Sequence, residues 1–184
     1  MSHQKPMDLK RLCYTALTGA ISYVLMLCTT FPIFAAAPYL KVELSEIPLL
    51  LIAALFSPTA GLLALLTKDT LYWLFTGANI FGIFADIIAG GAFIWLFAAV
   101  LRQRFTVRSV LLASAVSIGA RVLLSIPVNL VVLYFEFGTP PAAVMASMPF
   151  ILPFNAIKSG VGVLGFSLVY KRLAQALRQR ERTA

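Results

Sequence analysis

Apolar residues run along this chain in blocks long enough to cross a bilayer, and the polar positions between them divide it into helices. A helix rises about 1.5 Å per residue, so roughly 20 apolar residues span a hydrocarbon core about 30 Å thick. Leu12 to Phe34, Ile80 to Leu101, Val110 to Tyr134 and about Met148 to Tyr170 reach that length. Glu46 to Phe75 is too long for one ordinary span. It is interrupted by Ser57-Pro58-Thr59-Ala60-Gly61, a turn-forming cluster that ends one helix and begins another. The pattern therefore predicts a short helix over 46–57 and a second over 59–75.

Charge placement supports six helices over five. Eleven of the fifteen Lys and Arg residues fall in three clusters: Lys5, Lys10 and Arg11; Arg102, Arg104 and Arg108; and Lys171, Arg172, Arg178, Arg180 and Arg182. With six spans all three clusters lie on one face, as the excess of basic residues in cytoplasmic segments requires. With five, the last two move to the opposite face. The expectation is an all-α membrane protein with six transmembrane helices, both termini cytoplasmic, in a prokaryotic plasma membrane. It forms a single domain over 1–184, with polar cytoplasmic tails at 1–10 and 173–184. The external segments are then Ala35 to Ser45, Gly77 to Asn79, and Phe135 to about Ser147.

Composition agrees: 60% hydrophobic residues, 12% charged residues and a mean hydropathy of +0.91 depart far from a soluble domain. The net charge of +8 is concentrated at span ends, a topology pattern rather than a nucleic-acid-binding one, and no nucleic-acid partner is expected. Cys13 and Cys28 lie about four turns apart in the first span, too far for a disulfide, and are expected to be packing residues. The single histidine, His3, leaves no His-based triad and no His/Cys zinc site, and no metal is expected. The first apolar stretch is too long for the core of a cleavable signal peptide.

Five ionisable residues, Lys68, Asp69, Asp86, Arg121 and Lys158, sit inside the apolar spans. A charge at membrane depth costs several kcal/mol unless it faces protein, water or a partner, so such residues mark a ligand or ion path. In the predicted topology Asp86 and Asn155 lie about two turns from the external end of their helices. Arg121 and Lys158 lie near mid-membrane and Asn129 near the outer end of the fifth helix. A pocket loaded from outside follows.

Within Pro153-Phe154-Asn155-Ala156-Ile157-Lys158, Asn155 and Lys158 share a helical face and offer donors and an acceptor to one polar ring or carbonyl system. The alternative is that Lys158 pairs with Asp86 or Asp69 to hold the bundle together; both can hold at once. Lys68 and Asp69 are adjacent, about 100° apart, and are not expected to face each other. Charge neutralisation is the favoured role for them and for Arg121.

Tyr39-Leu40-Lys41-Val42-Glu43-Leu44-Ser45-Glu46-Ile47-Pro48 reads either as a lid whose Lys41 and Glu43 stay wet or as a plain connector, with Ser45 or Glu46 capping the next helix. Tyr72, Trp73, Phe75 and Phe81 crowd the second external turn as an interfacial aromatic belt, with stacking on a planar ligand the minor reading. Ala16 and Ala20, beside Gly19, form a small-residue face. It serves either internal packing or the docking of another membrane subunit.

Taken together, the Ala16–Ala20 spacing, the segment ending in Ile47-Pro48, Asn129 and the Phe154-Asn155-x-x-Lys158 run resemble the substrate-binding S components of energy-coupling factor vitamin transporters, in particular the riboflavin-specific branch, from about residue 10 to 172. The resemblance implies a six-helix subunit, not an enzyme, that binds a vitamin from outside. Its implied partners are a transmembrane coupling subunit (T component) and two cytoplasmic ATPases. It assigns Ala16 and Ala20 to the coupling subunit and Asn129, Asn155, Lys158 and Leu40 to the flavin, and Asp86 and Lys68 complete the substrate-binding set. Riboflavin enters as transported ligand and no cofactor is implied.

The sequence departs from the riboflavin-type pattern at Lys68-Asp69, where a Lys-Asn pair is common, and at Phe84-Ala85-Asp86, where a Glu-x-x-Asn-like run is common. Pantothenate, folate or a pyrimidine are the alternative ligands. The chain has no Gly-x-x-x-x-Gly-Lys-[Ser/Thr] run, so ATP chemistry falls to other polypeptides. A stand-alone proton-coupled carrier using Asp69 or Asp86 is the rival transport mechanism. An intramembrane enzyme built from Ser125, Ser159 and Asp86 has no motif to join them.

Overall fold

A computed structural model of the protein describes residues 9–35, 37–38, 40–101 and 106–183, with the backbone alone at residue 171 and over 173–183. His3, Lys5, Tyr39, Arg102 and Arg104, and the side chains of Lys171, Arg178, Arg180 and Arg182, lie outside the described residues.

Six helices account for most of the described chain: α1 Leu9–Thr29, α2 Glu46–Leu55, α3 Pro58–Thr76, α4 Ile80–Leu101, α5 Val107–Phe137 and α6 Pro141–Thr183. α1, α4, α5 and the Pro141–Tyr170 part of α6 are each long and apolar enough to cross a membrane. α2 has only 10 residues, about 15 Å of helix, and reaches through roughly half a bilayer. α3 is 19 residues long but carries Lys68 and Asp69.

The breaks follow local chemistry. Ser57 caps α3 by accepting a hydrogen bond from the Ala60 N–H at 3.2 Å, with Pro58 in the first turn where its missing N–H is harmless. Gly77 ends α3 at φ +63°, a left-handed conformation that favours glycine, and Asn79 caps α4 through the Phe81 N–H at 2.8 Å. Gly138 closes α5 in the same left-handed way, with its N–H on the Tyr134 carbonyl and the Thr139 N–H on the Leu133 carbonyl.

Several helix limits differ from the sequence expectation. α1 stops at Thr29, five residues short of Phe34, because the chain turns into a two-stranded hairpin that pairs β1, Phe31–Pro32, with β2, Lys41–Val42. The expected external connection of Phe135 to Ser147 shrinks to three residues, since α5 continues to Phe137 and α6 restarts at Pro141. Proline in a first turn is compatible with helix, and the apolar run that follows carries the helix on. Asn155 accordingly lies about 21 Å along its helix, near mid-membrane rather than two turns deep.

Two apolar clusters flank the bundle centre. The inner one joins α2, α3, α4 and α6 through Leu49, Leu50, Leu65, Phe93, Phe97 and Phe166. The outer one seats Ala37 and Leu40 of the loop on Val144, Met148 and Ile151 of α6. α1 lies against α3 on a face formed by Thr15, Gly19 and Ser22, spaced four and three residues apart as one helical stripe requires. Cys13 and Cys28 are exposed on the outer surface rather than packed, because both fall off that stripe.

Close approach at the α1–α3 contact depends on glycine. A Cβ at Gly19 would stand 2.6 Å from the Thr67 Cβ and 2.7 Å from the Ala64 carbonyl oxygen. Gly19→Ala is expected to lower stability by about 1–3 kcal/mol through forced separation of the helices. Gly119→Ala, with nothing within 4 Å, is expected to leave it unchanged or slightly raised. Thermal unfolding in detergent distinguishes the two.

Candidate functional site

The polar residues inside the spans converge at one level of the bundle, between the two apolar clusters. Asp86 is the hub. Its Oδ2 takes a hydrogen bond from the Lys68 ammonium at 2.7 Å, while its Oδ1 lies 3.3 Å from the Lys158 ammonium and 3.5 Å from the Arg121 guanidinium. Arg121, at the middle of α5, also pairs with Glu46 at the start of α2, donates to the Asn155 side-chain oxygen at 3.2 Å, and stacks over the Phe93 ring. Lys158 also reaches Glu43 at 3.1 Å.

Backbone irregularity helps to aim these groups. α4 makes one wide π turn over Asp86–Gly90, a feature frequent at functional sites, and a Cβ at Gly90 would stand 3.2 Å from the Asp86 Oδ1, so a larger residue there would press on the carboxylate. In α5 and α6, Pro127 and Pro153 each precede a pocket asparagine, Asn129 and Asn155, by two residues. Each proline removes a helical hydrogen bond at that depth. Asn129 donates to the Ser125 carbonyl at 2.7 Å, and Asn155 to the Ile151 carbonyl at 2.9 Å.

Above this layer lies a cavity of about 340 Å³, within the range of small-molecule sites. Its space follows from α2: because that helix starts at the charged layer, the outer half of the bundle beside it is filled only by the loop from Thr30 to Ser45. Asp86, Arg121, Asn155 and Lys158 form the floor, Leu40, Tyr72, Asn129 and Phe154 the walls, and Lys41, Asn79 and Glu136 the outward mouth.

The structure brings Leu40, Asp86, Asn129, Asn155 and Lys158 to this cavity. Lys68 is fully buried behind Asp69 and Asp86 and does not line it. Lys158 pairs with Asp86 and Glu43 and also lines the cavity. Lys68 and Asp69 do meet, at 2.8 Å, because the long lysine stem folds back over a neighbour that the helix angle alone separates. Tyr72 turns inward to the cavity, whereas Trp73 and Phe75 face outward.

Glu43 and Glu46 were expected at the wet edge and the helix cap. Both are instead buried members of the charged layer, at 3% and 4% exposure. Ser45 occupies the position before α2 without capping it and donates instead to Glu43 at 3.1 Å. Of the proposed docking pair, Ala16 is exposed and Ala20 half-buried, while Gly19 carries the internal contact. Among the described residues no His, Cys, Asp and Glu group is arranged to hold a metal ion.

Comparison with known proteins gives concordant results. Residues 10–170 match the family described as ECF transporter, substrate-specific component. The chain is 32% identical to the riboflavin transporter RibU of Staphylococcus aureus over 92% of its own length and 93% of that protein's. It is 28% identical to the riboflavin transporter FmnP of Bacillus subtilis over 95% and 97%. A solved structure of the S component of a bacterial ECF transporter superposes with a TM-score of 0.80 at 32% identity, covering 91% of this chain and 97% of that one.

Removing one partner from a buried ion pair typically costs about 3–5 kcal/mol. Lys158→Met, which keeps the stem and deletes the charge, is therefore expected to lower the thermal midpoint in detergent by on the order of 10 °C. Lys41→Met, at the exposed mouth, is expected to change it by no more than about 2 °C.

Proposed function

The chain belongs to the substrate-specific components of ECF transporters, and from that premise we propose that it is a membrane-embedded riboflavin-binding subunit that captures the vitamin from outside. The observation that carries this reading is the outward-opening cavity with an amide and charged floor, in a chain whose full-length relatives are riboflavin transporters. Asn129, Asn155 and Lys158 line it and contact the ligand's polar edge, with Leu40 and Phe154 against the apolar face of the isoalloxazine ring. Asp86 orients Lys158 and Arg121 and borders the ligand; Lys68 acts through Asp86 and not by contact.

The subunit does not catalyse a reaction and holds no cofactor of its own. It is a multi-pass protein of the prokaryotic plasma membrane and works with a transmembrane coupling subunit and two ATPases, which supply the energy for release inside. Two features support that division of labour. The floor of charged pairs closes the inner side of the cavity, so inward release requires a rearrangement of the whole bundle. The exposed stripe of α1 carrying Ala16, with Ala20 at its border, offers a shallow surface to a second membrane helix.

Titration of the detergent-purified protein with riboflavin is expected to quench flavin fluorescence with saturation at or below micromolar concentration. Asn129→Ala and Asn155→Ala are each expected to weaken it about tenfold or more, the loss of one buried hydrogen bond. A well-folded sample that leaves micromolar riboflavin unbound overturns the flavin assignment and not the fold. Ala16→Trp and Ala20→Trp are expected to spare riboflavin binding and abolish uptake in cells carrying the whole transporter. Parallel loss of both activities assigns that face to internal packing.

A further inference from the structure

All three guanidinium nitrogens of Arg121 are donors, and charge neutralisation accounts for two of them. Its Nη1 pairs with Glu46, and its Nη2 lies 3.5 Å from the Asp86 Oδ1. The third, Nε, is spent on a neutral group: it donates to the Asn155 side-chain oxygen at 3.2 Å. Arg121 is 2% exposed and its guanidinium lies over the Phe93 ring, 5.4 Å from the centroid, so the plane of the fork is held as well as its partners.

That bond bears on which way the Asn155 amide faces. Its nitrogen donates to the Ile151 carbonyl at 2.9 Å while its oxygen takes the Arg121 Nε–H. Reversing the amide would set its oxygen against the Ile151 carbonyl and its N–H against the Arg121 N–H, two unpaired contacts at a residue only 6% exposed. An amide nitrogen carries two N–H groups, so one remains. Asn155 lines the cavity floor, and the group it has left to offer there is that donor. Asn129 makes the same kind of bond to its own helix, at 2.7 Å from the Ser125 carbonyl, but among the described residues no donor holds its oxygen. The two cavity amides therefore differ: Asn129 can donate or accept, whereas Asn155 is turned to donate.

We propose that Arg121 is a positioning residue for ligand recognition, fixing the Asn155 amide so that its remaining N–H meets a hydrogen-bond acceptor of the ligand. The assignment rests on the flavin reading above and deepens it. The ligand atom against Asn155 is a carbonyl oxygen or an unprotonated ring nitrogen, both of which the isoalloxazine ring carries, rather than a ring N–H. Arg121 acts through Asn155, and its own charge stays with Glu46 and Asp86. A site arranged to donate at this point rejects a ligand that also donates there, because two N–H groups then face each other without an acceptor.

The test is a double-mutant cycle on riboflavin affinity, read by fluorescence titration in detergent, with wild type, Arg121→Lys, Asn155→Ala and the double variant. Lysine keeps a positive charge for Glu46 and Asp86 and has no counterpart of the Nε–H. Arg121→Lys is expected to weaken binding about tenfold, as Asn155→Ala does, and the double variant to bind no more than about threefold more weakly than Asn155→Ala. Unchanged affinity in Arg121→Lys overturns the proposal. So does a double variant weaker than that limit, since independent effects multiply to about a hundredfold and return Arg121 to a structural role. Should the lysine variant fail to fold, Asn155→Asp decides, because it keeps an oxygen for Arg121 and presents a second oxygen in place of the N–H. Asn155→Asp is expected to bind riboflavin no better than Asn155→Ala, and tighter binding than Asn155→Ala overturns the proposal. Absence of any riboflavin binding by the wild type overturns the flavin reading, and this assignment with it.

Discussion

The structure depends on mutual neutralisation of charge at the centre of an apolar bundle. Isolated charges in hydrocarbon are strongly unfavourable, and pairing offsets that only when geometry and hydrogen bonding are nearly complete. Here four segments of chain meet around Asp86: α3 brings Lys68, α4 the aspartate itself, α5 Arg121 and α6 Lys158. The start of α2 adds Glu46 and the loop before it adds Glu43. Each helix outside α1 thus contributes at least one charged group to the same level, α3 adding Asp69 to Lys68, and the apolar clusters lie on either side of it. The layer fixes the relative heights of the helices, since sliding any of them by one turn would strand a charge.

The same layer creates the cavity. α2 begins at Glu46 because that residue is held by Arg121, and a helix of 10 residues from that level occupies only the inner half of the bundle. The outer half is left to a loop, which cannot fill it with regular packing. The loop is nevertheless held at several points: the hairpin pairs Phe31 with Val42, the Leu44 N–H bonds the Thr29 hydroxyl at 3.0 Å, Leu40 seats on α6, and Glu43 reaches Lys158. The segment that covers the cavity is thereby tied to the floor beneath it.

Much of this was legible from the residues. The long apolar blocks, the Ser57-Pro58 break and the glycine after α3 follow from length and turn chemistry, and ionisable residues inside apolar spans marked the site. The illegible parts have physical causes. Glu43 and Glu46 lie in a segment that alternates polar with apolar residues, which looks like a wet connector; their burial depends on cations far away in sequence, Arg121 and Lys158. A π turn leaves no mark in hydrophobic periodicity, so its presence at Asp86 was not readable. α6 begins early because its first turns, Pro141-Ala142-Ala143-Val144, are neither polar nor long enough to announce a helix, yet they pack against the covering loop.

Selectivity in such a site comes from the few groups that the protein leaves unpaired. Lys158 and Arg121 are strong hydrogen-bond donors, but their charges are already matched by carboxylates, so a ligand gains little by replacing one acceptor with another. Asn129 and Asn155 differ, because each has spent one N–H on its own helix and the amide has a second to offer. Apolar walls such as Leu40 and Phe154 distinguish ligands by a methylene or two, worth only about 1–3 kcal/mol. An unpaired buried acceptor or donor discriminates far more steeply, since the wrong ligand leaves it without water and without a partner. In the proposed riboflavin site the charged layer would set where a ligand stops, and the uncommitted amide N–H groups of Asn129 and Asn155 would distinguish one ligand from another.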